Sequence, residues 1–294
     1  MRAASRSRFW QRGSMACATA LLLFLAAALI VGPALAVIRL AQAPAKQIEV
    51  DVELVLAVDI SLSMDPEEQR LQREGYIEAL LDPEIMKAIK AGQFGRIAVT
   101  YVEWAGPDIQ IHLIPWRIID SPASAKAFIT ELKGKEYSRY RRTSISAALD
   151  YSARLFDANP YRGARRVIDV SGDGANNSGP PLGAIRERVL GDGIVINGLP
   201  IILRPTMGYS SWDLPNLDRY YASCVIGGPG SFMIPITKPE EFATATRQKL
   251  LQEISSLPLT PRVIPVQMLP SPPGEGAGAG EYDCTLLERG IRRW

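Results

Sequence analysis

Two runs of β-branched and aliphatic residues, Val52-Glu53-Leu54-Val55-Leu56-Ala57-Val58 and Arg166-Val167-Ile168-Asp169-Val170, each lead into an acidic, turn-forming exit. Near-continuous apolar strands of this kind belong to parallel sheets covered on both faces, where the hydrophobic-polar alternation of a half-exposed strand is lost. Strand runs that alternate with helical periodicity commit the chain to an α/β fold: a doubly wound, mostly parallel central sheet with helices on both faces. One strand departs from the parallel pattern. Arg96 to Trp104 and Ile109 to Trp116 flank Gly106-Pro107-Asp108, which predicts a hairpin and hence one antiparallel edge strand.

The helices are marked by their starts. Asp65-Pro66-Glu67-Glu68 offers an N-cap, a proline in the first turn and two acids near the positive end of the helix dipole, so a helix is expected to run to Leu81. Asp82-Pro83 restarts it before Gly92. A short helix is expected from Pro122 to Leu132. Thr143 opens another, with Ile145, Ala148, Leu149, Ser152, Leu155 and Phe156 on one face. Pro180-Pro181 starts a helix to Leu190, and Ile194 to Leu203 reads as a buried strand. Residues 204–230 form a long excursion with a short helix near Leu214 to Ala222. Ser231 to Ile236 is expected as the last strand and Lys238 to Ser255 as the closing helix, with Phe242, Ala245, Leu250 and Ile254 inward.

The ends of the chain differ from its middle. Arg2, Arg6, Arg8 and Arg12 precede an uncharged stretch from Gly13 to Ile38, and Ala34-Leu35-Ala36 offers a small-x-small cleavage site. Residues 1–36 therefore read as a secretory signal. An uncleaved signal anchor is the competing reading, because residues 13–38 are long enough to span a bilayer. Either way the expected location is exported, periplasmic or otherwise extracytoplasmic, with membrane contact only through this segment. Residues 37–50 read as a connector, 51–256 as the folded domain and 257–294 as a Pro/Gly-rich tail. The formal charge of +2 loses four arginines with the leader and becomes −2, so the basic balance belongs to the leader. Export and that balance argue against a nucleic-acid partner. Cys224 and Cys284 remain, and in an oxidising compartment they are expected to pair; two free thiols are the alternative.

Three separated fragments carry the chemistry: Asp59-Ile60-Ser61-Leu62-Ser63, Thr143, and Asp173 within Ser171-Gly172-Asp173-Gly174. Asp59 and Asp173 follow the two apolar runs, so both fall at carboxyl ends of strands, where open α/β sheets place their ligands. Aspartates and hydroxyls make an oxygen-only donor set suited to Mg²⁺, with Mn²⁺ or Ca²⁺ as alternatives. One histidine and no clustered cysteines exclude the usual zinc sets. Asn176 and Asn177 could add oxygens or shape the turn. His112 falls on the polar phase of an alternating strand and Asp169 inside a strand, and both read as structural. Neither a Gly-x-Ser-x-Gly elbow nor a phosphate-binding glycine loop is present, so no catalytic constellation is assigned.

Strand-Asp-x-Ser-x-Ser, a later threonine at a helix start and strand-Ser-Gly-Asp-Gly resemble the metal-ion-dependent adhesion site (MIDAS) of the von Willebrand factor A (vWA) domain, over roughly residues 50–255. The blocks Val58-Asp59-Ile60-Ser61-Leu62-Ser63-Met64-Asp65 and Ser171-Gly172-Asp173-Gly174-Ala175-Asn176-Asn177 are most similar to an exported bacterial family of unknown function within that group. The resemblance implies that Ser61, Ser63 and, in one state, Thr143 bind the cation directly, with Asp59 and Asp173 acting directly or through water. It also implies that a partner protein supplies an Asp or Glu carboxylate to an incompletely neutralised ion. Lys133, Lys135, Arg139, Arg141 and Arg142, interleaved with Tyr137 and Tyr140, are placed to steer such a partner or to form a solvated loop. The expected function is a metal-dependent protein-binding module. A metal-assisted hydrolase and an envelope protein with a fold-stabilising metal are the alternatives.

Overall fold

The computed structural model describes residues 47–203, 216–255 and 283–285. The expected signal segment, most of the connector, part of the 204–230 excursion and nearly all of the tail lie outside these residues. The described elements are β1 (Ile48–Asp59), α1 (Pro66–Leu81), α2 (Pro83–Lys90), β2 (Ile97–Trp104), β3 (Gln110–Ile119), α3 (Pro122–Lys133), α4 (Ile145–Asp157), β4 (Tyr161–Gly172), α5 (Leu182–Gly191), β5 (Ile194–Pro200), α6 (Leu217–Tyr220) and α7 (Phe242–Ile254). A π-helical turn, Tyr221–Val225, continues α6, and a 3-10 turn, Pro239–Glu241, leads into α7.

Among the described residues the sheet has five strands in the order β3-β2-β1-β4-β5. Every neighbouring pair is parallel except β2 and β3, so the antiparallel strand is at the edge. Leu54, Leu56 and Val58 of β1 point into one core layer with Tyr76 and Leu80 of α1, Phe128 of α3, and Phe242 and Leu250 of α7. Val55 and Ala57 point into the other, with Ile145 and Leu149 of α4, Leu182 and Val189 of α5, and Tyr221. Truncating a fully buried leucine such as Leu54 to alanine in such a layer costs about 2–5 kcal/mol. Both faces of the sheet are thus covered, as the apolar runs require.

Two strands are longer than their apolar cores. β1 starts at Ile48 and β4 at Tyr161, and these residues pair with each other. Glu53 makes the polar start of β4 tolerable: its carboxylate accepts from the Gly163 amide at 2.6 Å and from Asn159 Nδ2 at 2.8 Å. The expected last strand, Ser231 to Ile236, is not a regular strand. Its backbone pairs with β5 and the following residue through isolated bridges at Met233 and Ile236. Pro200 and Pro235 lack the N–H groups a continuous ladder needs, which also ends β5 before Leu203.

Asp65 is an N-cap: its carboxylate accepts from the Glu67 and Glu68 amides, both at 2.8 Å, and Glu68 accepts from the Asp65 amide at 2.7 Å. This closed capping box holds α1 in place directly after the Asp59 turn and contributes about 1 kcal/mol.

Candidate metal centre

The chain leaves β1 toward β2 and β3 and returns through α4 to β4 on the other side of β1. The carboxyl ends of β1 and β4 therefore flank the reversal point, where the connecting loops splay apart and leave a crevice. Asp59 closes β1 and Gly172 closes β4, which brings two distant fragments side by side.

Asp59 is fully buried. Its Oδ1 accepts from the Ser61 amide at 2.7 Å, a local turn that short acidic side chains favour. Among the described residues its Oδ2 is buried without a hydrogen-bond partner. Ser61 Oγ lies 2.8 Å from Ser63 Oγ, and Ser63 Oγ donates to Asp173 Oδ1 at 2.7 Å. The Ser61, Ser63 and Asp173 side-chain oxygens are thus linked in turn, and the Ser61 amide ties the Asp59 carboxylate to them.

Thr143 is buried beside this set, and a Cβ placed on Gly174 would lie 3.6 Å from its Oγ1. It does not open α4. Ser144 is the N-cap and accepts from the Ala147 amide at 3.3 Å, so the expected start is off by one residue and the Thr143 hydroxyl is not spent on capping. The Thr143 amide donates to Asn177 Oδ1 and its carbonyl accepts from the Asn177 amide, both at 2.9 Å. Asn176 Oδ1 accepts from the Ser146 amide at 3.0 Å and from Ser146 Oγ at 3.1 Å. Both asparagine oxygens are engaged in fixing the Thr143–Ser146 segment, which is the turn-shaping one of their two expected roles.

Close approach matters at Gly172. A Cβ there would sit 2.8 Å from Asp59 Oδ2 and 3.2 Å from the Tyr221 hydroxyl, so only glycine lets β4 end this near the buried carboxylate. Behind it, Gln72 of α1 donates to Ser171 Oγ at 2.7 Å, and the Asn176 amide donates to the Tyr220 hydroxyl at 3.1 Å. Sequence reading missed Ser144, Gln72 and Tyr220, because each acts through a contact made across the fold.

Burial, and then repulsion from Asp173, push the Asp59 carboxyl well above the ordinary carboxylate range. Burial followed by Asp59 does the same to the Tyr221 phenol. A cation placed against Asp59 Oδ2 would offset both costs and occupy an oxygen that otherwise loses about 1–3 kcal/mol of hydrogen bonding. Among the described residues no group of three or more His, Cys, Asp or Glu is gathered. A metal held here must draw on hydroxyls, which suits a hard cation and fits the residues present.

The basic loop is attached to the same crevice. The Tyr140 amide donates to the Ile60 carbonyl at 3.0 Å, and the Leu62 amide to the Tyr140 carbonyl at 2.8 Å. Arg139 donates to the Leu62 carbonyl at 2.6 Å. From α1, Gln69 donates to the Ser138 carbonyl at 3.2 Å and Arg73 to the Lys135 carbonyl at 2.7 Å. Arg73 is itself buried and paired with Glu103 at 2.6 Å.

Elsewhere, His112 on β3 lies 2.7 Å from Thr100 Oγ1, a structural contact on the edge hairpin. Cys224 and Cys284 form a disulfide with their Cα atoms 5.5 Å apart. Asp169 belongs to a fully buried ionic group: Lys249 lies 2.5 Å from both Asp169 and Glu253. Tyr76 donates to Asp169 at 3.2 Å and Asn197 to Glu253 at 3.0 Å. Sequence reading missed Lys249 and Glu253, whose burial only the fold supplies.

A family model described as a protein of unknown function, DUF1194, matches residues 49–258. No match was found among curated proteins. Proximal thread matrix protein 1 from the mussel byssus superposes with a TM-score of 0.52 at 12% identity, over 71% of this chain and 49% of that one. The pilus adhesin SpaC from Lactobacillus rhamnosus GG gives 0.52 at 11% identity, over 71% of this chain and 31% of that one. The von Willebrand factor type A protein from Catenulispora acidiphila gives 0.49 at 16% identity, over 70% and 43%. This chain spans about half or less of each of these proteins. At such identities the likeness is one of fold alone, shared with the first two of these proteins.

Proposed function

The chain belongs to the DUF1194 family, and from its own geometry we propose that it is an exported binding module in which a divalent cation at Asp59, Ser61, Ser63, Thr143 and Asp173 engages a carboxylate of a partner protein. The observation that carries this reading is the buried Asp59 carboxylate, whose Oδ2 has no hydrogen-bond partner among the described residues, beside the linked oxygens of Ser61, Ser63 and Asp173. Mg²⁺ suits that donor set best, since it takes oxygen ligands and keeps open positions for an exchangeable one. When bound, the cation would supply an electrophilic centre for an incoming carboxylate.

The residues of the chain divide the remaining work. Asp59 and Asp173 supply negative charge, Ser61 and Ser63 supply neutral oxygens from one turn, and Asn177 holds Thr143 at the rim. With neutral hydroxyls making up much of the set, a bound dication keeps part of its charge, which favours an anionic ligand. The leader read from the sequence supports action outside the cytoplasmic membrane. No helix among the described residues is long and apolar enough to cross a membrane.

Calorimetric titration of the purified protein with MgCl₂ and MnCl₂ tests the site. A single binding event lost in Ser61→Ala and Asp173→Ala is expected. Equal heats for wild type and both variants, with circular dichroism showing all three folded, would overturn the proposal.

A further inference from the structure

Five large hydrophobic side chains are exposed among the described residues, namely Ile48, Leu62, Leu81, Tyr137 and Tyr140. Three of them, Leu62, Tyr137 and Tyr140, lie on the two loops that meet at the candidate metal centre. Leu62 sits between the two serines of the Asp59 turn, and its amide is bonded to the Tyr140 carbonyl. Scattered exposed apolar residues need no explanation, whereas a cluster beside a polar site marks a contact surface.

The same loop carries charge that the fold does not use. Arg139 is engaged with the Leu62 carbonyl, and Arg73 stacks on the Tyr137 ring at 3.8 Å. Arg141 and Arg142 are exposed, and among the described residues neither guanidinium has a hydrogen-bond or ion-pair partner. Arg142 also has a positive φ of 73°, a left-handed conformation that a non-glycine residue adopts only when its surroundings impose it. The restraint comes from both sides: Asn177 fixes the Thr143 amide, and a Cβ on Gly106 would meet the Arg141 carbonyl at 3.0 Å. The strained residue immediately precedes the proposed ligand Thr143.

Together these features describe a surface prepared before anything binds. Its backbone is pinned at Lys135, Ser138, Tyr140 and Thr143, so little ordering remains to be done on association. We propose that this surface docks an acidic segment of a partner protein that carries two acidic residues within three positions of each other and a neighbouring apolar side chain. The first carboxylate goes to the metal centre, the second to the Arg141–Arg142 pair, and the apolar side chain packs on Leu62 and Tyr140.

The spacing follows from geometry. Thr143 and Arg142 are adjacent, so their Cα atoms are about 3.8 Å apart, and an extended segment presents side chains on one face about every 7 Å. A second acid one or two residues away therefore falls within reach of a long arginine side chain. Arginine forks bind carboxylates with two parallel hydrogen bonds, which gives this second contact direction as well as charge. An anionic membrane surface would satisfy the arginines too, but it supplies neither a paired set of carboxylates nor a reason for the metal.

This inference rests on the metal-dependent reading above, and the experiment separates the two. A random dodecapeptide display library is selected on the purified protein in MgCl₂, with MnCl₂ titration calorimetry run on the same samples. Enriched peptides should hold two acidic residues within three positions beside Leu, Ile, Val or Phe. Chelation should remove them. Arg141→Gln with Arg142→Gln should weaken the selected peptides at least tenfold while Mn²⁺ affinity is retained or rises. Replacing the second acid by its amide should cost wild type at least tenfold and the double variant less than twofold. Absence of Mn²⁺ binding would overturn the metal reading. Intact Mn²⁺ binding with no enriched peptide, with single-acid peptides, or with peptides indifferent to the double substitution would overturn this inference alone. So would metal-independent binding to phosphatidylglycerol vesicles abolished by the double substitution.

Discussion

Glu253 offers a quantitative test of the buried ionic group. It is almost wholly buried at the end of α7, with Lys249, Asn197 and, through its own carbonyl, Arg165 as partners. Two carboxylates, Asp169 and Glu253, share the single ammonium of Lys249, so full ionisation would leave one negative charge in the core. Burial, and then repulsion from Asp169, raise the Glu253 carboxyl from its ordinary 4.5 to about 7. At pH 6 the native state therefore holds a proton that the unfolded chain has released, and unfolding free energy must fall as pH rises. The contribution is complete below pH 4.5, declines through about 7 and is flat beyond. The lift amounts to about 3 kcal/mol at roughly 1.4 kcal/mol per pH unit. Glu253→Gln is neutral at every pH and keeps the amide-sized shape, so it should lack this decline. Urea unfolding at a series of pH values from about 5 to 8, with the disulfide intact, reads the difference between the two proteins. Titrating groups remote from the Asp169–Lys249 pair occur in both and cancel, and any change in Asp169, which loses a repelling neighbour in Glu253→Gln, belongs to the same ionic group under test. A wild-type and Glu253→Gln pair whose free-energy curves stay parallel across that range would refute the reasoning.

Two further substitutions separate packing from ligation. Gly172→Ala places a methyl 2.8 Å from Asp59 Oδ2 and 3.1 Å from its Cβ, and should lower thermal stability by about 1–3 kcal/mol as well as weaken Mn²⁺ binding in calorimetry. At the start of α4, Ser144→Ala should cost about 1 kcal/mol in urea unfolding with Mn²⁺ affinity nearly unchanged, whereas Thr143→Ala should do the reverse. Equal effects of these two neighbours on both measurements would remove the distinction between cap and ligand.

Much of this architecture was legible because it is local or periodic. The β1 and β4 cores announce themselves by unbroken apolar runs, and Asp65, Asp82 and Ser121 cap helices whose next residue is proline. Asp59 and Asp173 could be placed at strand ends because each follows such a run. What escaped depends on the partner strand. The first residues of β4, Tyr161 to Arg165, carry no strand signature of their own and are ordered by pairing with β1 and by Glu53. Ser231 to Ile236 reads as a strand by composition, yet prolines in it and at the end of β5 deny it a ladder. Thr143 and Ser144 are equally good caps in sequence, and only the Asn177 contacts decide which hydroxyl stays available. Lys249 and Glu253 resemble an ordinary surface pair four residues apart until β4 and β5 close over them.

The Cys224–Cys284 bond gives the chain a covalent loop whose ends are 60 residues apart in sequence. A protease that cuts once between α7 and Cys284 would therefore release nothing: both pieces would travel together until a reductant separated them. In an environment rich in peptidases, that makes the carboxyl-terminal region tolerant of a first nick. Without reductant the nicked and intact proteins would run together, and with it the nicked protein alone would split into two fragments.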